Sequence, residues 1–172
     1  CYMKDIVNMV LDISKLDQGG SFNISLTVSF FNLWLGKVVS SFVKEFAENG
    51  VELIFLPDER VGTIPFDKEK LRIVVSNLLT NALKFSPAGT QVYVRTAYCD
   101  SMISVSVADQ GIGLKNVDID KIFSRFYQGN HNQKGCGIGL AYSRQLVEMH
   151  GGTISAAENE SGGATFQFQL PL

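Results

Sequence analysis

Two asparagines and a lysine lie on one side of a long helix-forming segment. Asn77, Asn81 and Lys84 are spaced i, i+4 and i+7, so a helix brings them into one stripe. Asparagine is a poor helix former, and two of them one turn apart are unusual. An amide oxygen is a hard, neutral ligand that suits Mg²⁺, and a lysine ammonium can face phosphate as a point charge. The stripe indicates a magnesium and phosphate site, although a solvated polar face would explain the same residues.

A second candidate site follows a predicted strand, Met102 to Ala108. Asp109 stands directly after this strand, with Gly111 and Gly113 two and four residues later. Glycines let the backbone approach a ligand closely, and a carboxylate can accept a hydrogen bond from an exocyclic amine such as that of adenine. A loop aspartate beside turn glycines is the simpler interpretation of this motif taken alone.

A third candidate site opens the next predicted helix. Gly135, Gly137 and Gly139 alternate just before it. Backbone N–H groups at a helix N-terminus, together with the helix dipole, bind phosphate. A flexible glycine linker explains the motif equally well. The spacing is neither the dinucleotide-binding pattern G-x-G-x-x-G nor a P-loop, since no Gly-Lys-Ser/Thr follows.

The three motifs require an α/β framework to position them. A helix is expected from Asp67 to just before Pro87, with an inward face at every third or fourth residue. Two further helices are expected, one capped by Asn32 and closed by Asn49-Gly50, the other over residues 139–150. Strands are expected over residues 22–26, 51–56, 91–97, 102–108, 153–157 and 164–170. This order of elements predicts one α/β layer sandwich. The expected inward face of the long helix is Leu71, Val75, Leu78 and Ala82.

The first 19 residues carry a separate signal. Apolar residues recur there at alternating steps of four and three, and Gly19-Gly20 ends the run. We expect residues 1–19 to be a helix, either packed on its own domain or left from a longer dimerisation helix. Because the chain begins with Cys1 and no signal peptide follows, we expect it to be a piece of a longer protein. The apolar residues that recur at this spacing are Tyr2, Ile6, Met9, Ile13 and Leu16.

Composition excludes several classes of protein. The 172 residues are 45% hydrophobic and 19% charged, which is typical of a globular domain. A net charge of −2 without a Lys/Arg run argues against a nucleic-acid partner. The 3 cysteines form no close pair, which argues against a disulfide framework or a zinc site and favours a reducing, cytoplasmic compartment.

In this order, the motifs resemble those of the catalytic, ATP-binding domain of sensor histidine kinases. That superfamily also contains DNA gyrase, heat-shock chaperone and mismatch-repair ATPases. Residues 77–85 resemble the N box, 109–114 the first glycine box, 122–127 the F box and 135–140 the second glycine box. The resemblance covers residues 20–172 and implies a Bergerat-type fold, a two-layer sandwich of a mixed sheet with helices on one face. It places an ATP lid over residues 128–134.

The resemblance implies roles for individual residues. Asn81 matches the Mg²⁺ ligand, Lys84 a phosphate contact, Phe85 a residue bordering adenine, and Asp109 the carboxylate that reads adenine. Asn77 and Lys84 are the expected catalytic residues. The other implied nucleotide-binding residues are Gly111, Gly113, Phe126, Gly135, Gly137, Gly139 and Leu140.

Residue 77 separates two branches of the superfamily. The gyrase-like ATPases have a glutamate there as general base on water, whereas this chain has Asn77. An amide cannot take up a proton, so hydrolysis without transfer should be slow. A gyrase- or chaperone-type ATPase and a nucleotide-binding scaffold remain the alternatives.

The implied function is that of a protein-histidine kinase domain with ATP and Mg²⁺. In a homodimeric parent, cytoplasmic or anchored in the inner membrane, the γ-phosphoryl would pass to a histidine on a dimerisation helix and then to an aspartate of a response regulator. Neither His131 nor His150 has the surroundings of the acceptor. We therefore expect no self-phosphorylation of this chain.

Overall fold

A computed structural model describes residues 23–115, 117–127 and 137–172 of the chain. The expected N-terminal helix, the expected lid and Gly135 lie outside these residues. The elements of the described residues are β1 (Thr27–Phe30), α1 (Phe31–Ser40), α2 (Val43–Glu48), β2 (Glu52–Leu56), β3 (Thr63–Phe66), α3 (Lys68–Phe85), β4 (Gln91–Cys99), β5 (Met102–Ala108), α4 (Gly139–Met149), β6 (Thr153–Glu158) and β7 (Ala164–Pro171).

The larger sheet has five strands in the order β2-β4-β5-β7-β6. β2 runs parallel to β4 and the other neighbours are antiparallel, so the sheet is mixed. Alternate residues of a strand share a face: Val105 pairs with Thr96 and Phe168, and all three are buried. Ser104 and Gln169 pair on the opposite, partly exposed face. The inner face shares one apolar core with α3 and α4, which confirms the predicted mixed α/β fold.

Helix α3 carries the Asn-Asn-Lys stripe. Asp67 caps it, because its Oδ1 accepts hydrogen bonds of 3.1 Å from the N–H groups of Glu69 and Lys70. The helix ends at Phe85, before Pro87, so both predicted ends are confirmed. The expected inward face is buried at all four positions, Leu71, Val75, Leu78 and Ala82.

Strands β4 and β5 form the hairpin that the sequence predicts. Asp100 and Ser101 at its tip have φ of 48° and 63°. Left-handed backbone at both central residues is the type I′ arrangement, which suits the right-handed twist of the paired strands. The hairpin sets the register of β4 against β5, in which Ala108 at the end of β5 pairs with Tyr93.

The predicted cap of the first helix is wrong. Helix α1 already begins at Phe31, so Asn32 lies inside its first turn. The Asn32 amide instead donates to the carbonyl of Asp58 at 2.8 Å and accepts from the hydroxyl of Thr96 at 3.0 Å. These partners are 26 and 64 residues away, so a local pattern could not reveal them.

The first strand also lies elsewhere than expected. It spans Thr27–Phe30 rather than residues 22–26, and it pairs with β3, a strand that the sequence analysis did not predict. The alternating Leu26 and Val28 are 52% and 72% exposed, so their alternation does not mark a buried face. Likewise, the predicted helix that ends at Asn49 is divided at Ser41 into α1 and α2.

Among the helices of the described ranges, none combines the length and the hydropathy needed to cross a membrane.

Candidate functional site

Asp109 lies at the end of β5 and is only 4% exposed. Its Oδ1 accepts hydrogen bonds from the N–H groups of Gly111, at 2.8 Å, and Ala164, at 3.1 Å. Burial raises the pKa of the carboxyl group, and these two hydrogen bonds oppose that rise. None of the described residues donates to Oδ2. The second oxygen is therefore available to accept a hydrogen bond from a ligand.

The first glycine motif meets the C-terminal end of α3. Gly111 passes so close to the carbonyl of Phe85 that a Cβ would overlap it, so only glycine fits there. The Lys84 ammonium lies 4.7 Å from the centroid of the Phe85 ring, and partial burial lowers the pKa of Lys84. The structure therefore brings Lys84, Phe85, Asp109 and Gly111 together. Gly113 follows in the same loop with a φ of 68°.

Asn77 joins α3 to the first turn of α4. Its Nδ2 donates to the carbonyl of Gly139 at 3.2 Å and to the hydroxyl of Ser143 at 3.1 Å. Asn81 lies one turn further along α3 and is partly buried. Asn77 thus lies beside the start of α4, and Asn81 follows it one turn later on the same helix.

The start of α4 has the electrostatics of an anion site. The residue at the cap position, Ile138, makes no side-chain capping hydrogen bond and the first turn holds no acidic residue, so no carboxylate of this turn competes with an anion there. Gly139 is the first residue of this helix. Leu140 follows and packs partly against the core.

The described residues on either side of the expected lid meet each other beside this helix. Phe126 N–H donates to the carbonyl of Gly137 at 2.8 Å. Gly137 has a φ of 63°, and a Cβ on it would lie 2.7 Å from the carbonyl oxygen of Tyr127. Phe123 packs against the core, whereas Phe126 is 70% exposed. Of these two aromatic residues, Phe123 therefore has the buried contacts.

Asn159, which the sequence did not single out, hydrogen-bonds the backbone of Asp109. Its Nδ2 donates to the backbone carbonyl of Asp109 at 2.8 Å and to that of Ala164 at 3.2 Å. Its Oδ1 accepts from Gly163 N–H at 3.0 Å and from the Ser161 hydroxyl at 2.7 Å. The turn after β6 therefore holds the backbone of Asp109 in place. Asn-Glu-Ser-Gly-Gly signals a turn, but nothing local links it to a residue 50 positions earlier.

The far ends of α3 and α4 are joined by His150. Its Nε2 accepts from the Asp67 N–H at 3.1 Å, so the ring proton lies on Nδ1, which donates to the carbonyl of Leu146 at 2.7 Å. Both ring nitrogens are thus occupied. This contact ties the start of α3 to the end of α4.

The donor set suits one kind of metal ion. Within residues 23–115, 117–127 and 137–172 there is no group of three or more His, Cys, Asp or Glu side chains that could hold a metal ion. The remaining candidate ligands are the amide oxygens of Asn77 and Asn81, beside a helix terminus that attracts phosphate. A site with so few protein oxygens suits Mg²⁺, which keeps several water ligands and is also coordinated by the phosphate oxygens of the substrate.

The sequence matches the family described as "Histidine kinase-, DNA gyrase B-, and HSP90-like ATPase" over residues 66–172. The chain therefore belongs to this family. Its relatives place it in the sensor histidine kinase branch, as an ATP-binding catalytic domain.

The relatives agree on this branch. The chain is 33% identical over 177 residues to the sensor histidine kinase WalK of Bacillus subtilis, covering 96% of this chain and 28% of WalK. It is 30% identical over 179 residues to histidine kinase P4 of Formosa agariphila, covering 99% of this chain and 13% of P4. It therefore spans less than a third of either relative.

Among solved structures, full-length ShkA in complex with AMPPNP is similar to this chain. The TM-score is 0.84 at 29% sequence identity, and the match covers 99% of this chain and 36% of ShkA. This likeness supports the family assignment as well as the fold.

Proposed function

We propose that this chain binds ATP with Mg²⁺ and that its parent protein transfers the γ-phosphoryl group to a histidine. The acceptor would lie on a dimerisation helix of the parent, a homodimer, and would pass the phosphoryl group to an aspartate of a response regulator. We propose a cytoplasmic location for the domain, because ATP is available there. The observation that carries the proposal is Asn77, an amide without basic character at the phosphate end of the site.

Binding follows from the geometry of three groups. Oδ2 of Asp109 accepts a hydrogen bond from the adenine amine, while the N–H groups that begin α4 face the phosphates. Lys84 adds positive charge near the phosphates. Asn81 would hold Mg²⁺ through its amide oxygen. The ion would neutralise phosphate charge when bound.

Transfer requires positioning more than covalent chemistry from this chain. An imidazole nitrogen of the acceptor attacks the γ-phosphorus, the bond to the oxygen bridging to the β-phosphate breaks, and ADP leaves. Lys84 and the α4 N–H groups stabilise the negative charge that develops. Asn77 cannot take a proton from water, which disfavours hydrolysis as a competing reaction.

Neither histidine of this chain is proposed as the acceptor. His150 uses both ring nitrogens in hydrogen bonds, so it has no lone pair directed at a ligand. His131 lies in the expected lid, outside the described residues. The acceptor is accordingly sought elsewhere in the parent.

The test compares this chain with its parent after incubation with γ-labelled ATP and Mg²⁺. We expect the parent to carry a label that is labile to acid and stable to alkali, as a phosphohistidine is, and the 172-residue chain alone to carry none. Phosphate release by the chain should be very slow. Fast release that is insensitive to Asn77→Ala would contradict the proposal and favour an ATPase.

A further inference from the structure

We infer that Ser143 is a positioning residue of the nucleotide site. Its hydroxyl and the Gly139 carbonyl hold both N–H groups of the Asn77 side chain, so that only the amide oxygen is presented to bound nucleotide and its metal ion. This inference rests on the proposed function, because it concerns how that site presents Asn77.

The orientation of the Asn77 amide is settled by chemistry. One terminal atom of the amide lies 3.2 Å from the carbonyl oxygen of Gly139 and 3.1 Å from the hydroxyl oxygen of Ser143. A carbonyl oxygen only accepts hydrogen bonds, so the atom that faces Gly139 is the NH₂ group. The NH₂ group has two hydrogens, one for the carbonyl of Gly139 and one for the hydroxyl of Ser143. Turning the amide over would place two oxygens against each other at Gly139 and lose a hydrogen bond.

The position of Ser143 is suited to this task. It is completely buried, on a helix whose buried neighbours Tyr142 and Leu146 are large and mostly apolar. A buried hydroxyl costs free energy unless it is hydrogen-bonded, and Asn77 is the partner that it finds across the helix interface. A group fixed by a rigid helix holds its partner more accurately than one on a loop.

A purely structural role would also explain a hydrogen bond between α3 and α4. The two roles differ in what they predict for the metal ion. If Ser143 only joins the helices, its loss should weaken binding of nucleotide with and without Mg²⁺ by the same factor. If it orients Asn77, the loss should fall on the Mg²⁺-dependent part of binding, since an amide oxygen acts on a metal ion or its waters.

The experiment is a calorimetric titration with AMPPNP, once with Mg²⁺ and once with EDTA. Ser143→Ala should weaken binding about 5-fold with Mg²⁺, equivalent to about 1 kcal/mol, and hardly change it in EDTA. In an Asn77→Ala background, Ser143→Ala should have no further effect on Mg²⁺-dependent binding. Thr96→Val removes another buried hydroxyl, one bonded to Asn32 and Asp58, and should leave both affinities unchanged.

Equal losses with Mg²⁺ and with EDTA would overturn the inference, as would losses that multiply in the double variant. Either result would leave the proposed function intact, because the wild-type chain would still bind nucleotide. A folded wild-type chain that binds AMPPNP in neither condition would instead contradict the proposed function, and the inference with it.

Discussion

The two oxygens of Asp109 have different surroundings. Oδ1 accepts from two backbone N–H groups, whereas none of the described residues donates to Oδ2. Burial raises the pKa of this carboxyl group, which means that the folded state holds the ionised form at a cost. Asp109 is therefore well placed to accept a hydrogen bond from a ligand, but its buried negative charge lowers the stability of the fold.

The substitution Asp109→Asn separates the cost of the buried charge from the recognition of the ligand. The amide oxygen can keep both backbone hydrogen bonds, but the NH₂ group then replaces the acceptor that faces the ligand. Because the pKa is raised in the folded state, ionisation of Asp109 lowers stability as the pH rises. We expect the variant to be at least as stable as wild type at pH 7, and this difference to shrink as the pH falls. Thermal unfolding across pH measures it.

A variant that is clearly less stable than wild type at pH 7, with the difference growing toward acid pH, would contradict this account of Asp109. In the same preparations, Asp109→Asn should bind AMPPNP more weakly than wild type, because an N–H group would face the adenine amine.

Two glycines of the site should respond differently to an added methyl group. On Gly139 a Cβ would lie 3.6 Å from the Asn77 side chain, which is ordinary contact, whereas on Gly111 it would overlap the carbonyl of Phe85. We expect Gly139→Ala to fold normally and bind nucleotide more weakly, since the methyl group narrows the phosphate approach. Gly111→Ala should lose stability itself. Urea unfolding measures the stability of each variant, and titration with AMPPNP measures its affinity. A Gly139→Ala variant that is clearly less stable than wild type would contradict the expectation that this methyl group affects binding alone.

At the scale of elements, α3 was predictable because its signals are local. An apolar residue every third or fourth position, a capping aspartate and a proline beyond its end all lie within the helix or beside it. Asn32 was misassigned because its partners come from the loop after β2 and from β4. Ser143 and Asn159 were missed for the same reason, since they act on residues 66 and 50 positions away.

The cap of α3 gives a prediction about stability. Burial raises the pKa of Asp67, but hydrogen bonds from the N–H groups of Ser25, Lys70 and Glu69 outweigh it and hold the pKa below its ordinary value. Asp67→Ala should cost about 1–2 kcal/mol at pH 7. A depressed pKa means that the stability of the ionised cap is lost as the pH falls through the folded-state value, so the deficit should shrink in acid.

Urea unfolding at neutral and acid pH measures this deficit, with Asp67→Asn as the matched control. Asparagine is also a good capping residue, so that variant should keep much of the stability at pH 7. A deficit in Asp67→Ala that does not change with pH would show that packing, and not the ionised cap, is what the aspartate supplies.

For the whole molecule, the sequence predicted the fold class, and the family match and the solved structures confirm it. The five-strand order depends on pairings between distant segments, such as β2 beside β4 and β5 beside β7, which periodicity does not determine. The second, two-stranded sheet was likewise hidden, because the alternating residues of β1 face solvent. The roles of the site residues remain predictions.

The proposed ATP site is tested first by nucleotide binding. We would titrate the wild-type chain and Asp109→Ala with AMPPNP and Mg²⁺ by calorimetry. We expect wild type to bind in the micromolar range, about −8 kcal/mol, and Asp109→Ala to lose most of this affinity. A well-folded wild-type chain that does not bind, or binding that is unaffected by the loss of Asp109, would contradict the proposed ATP site.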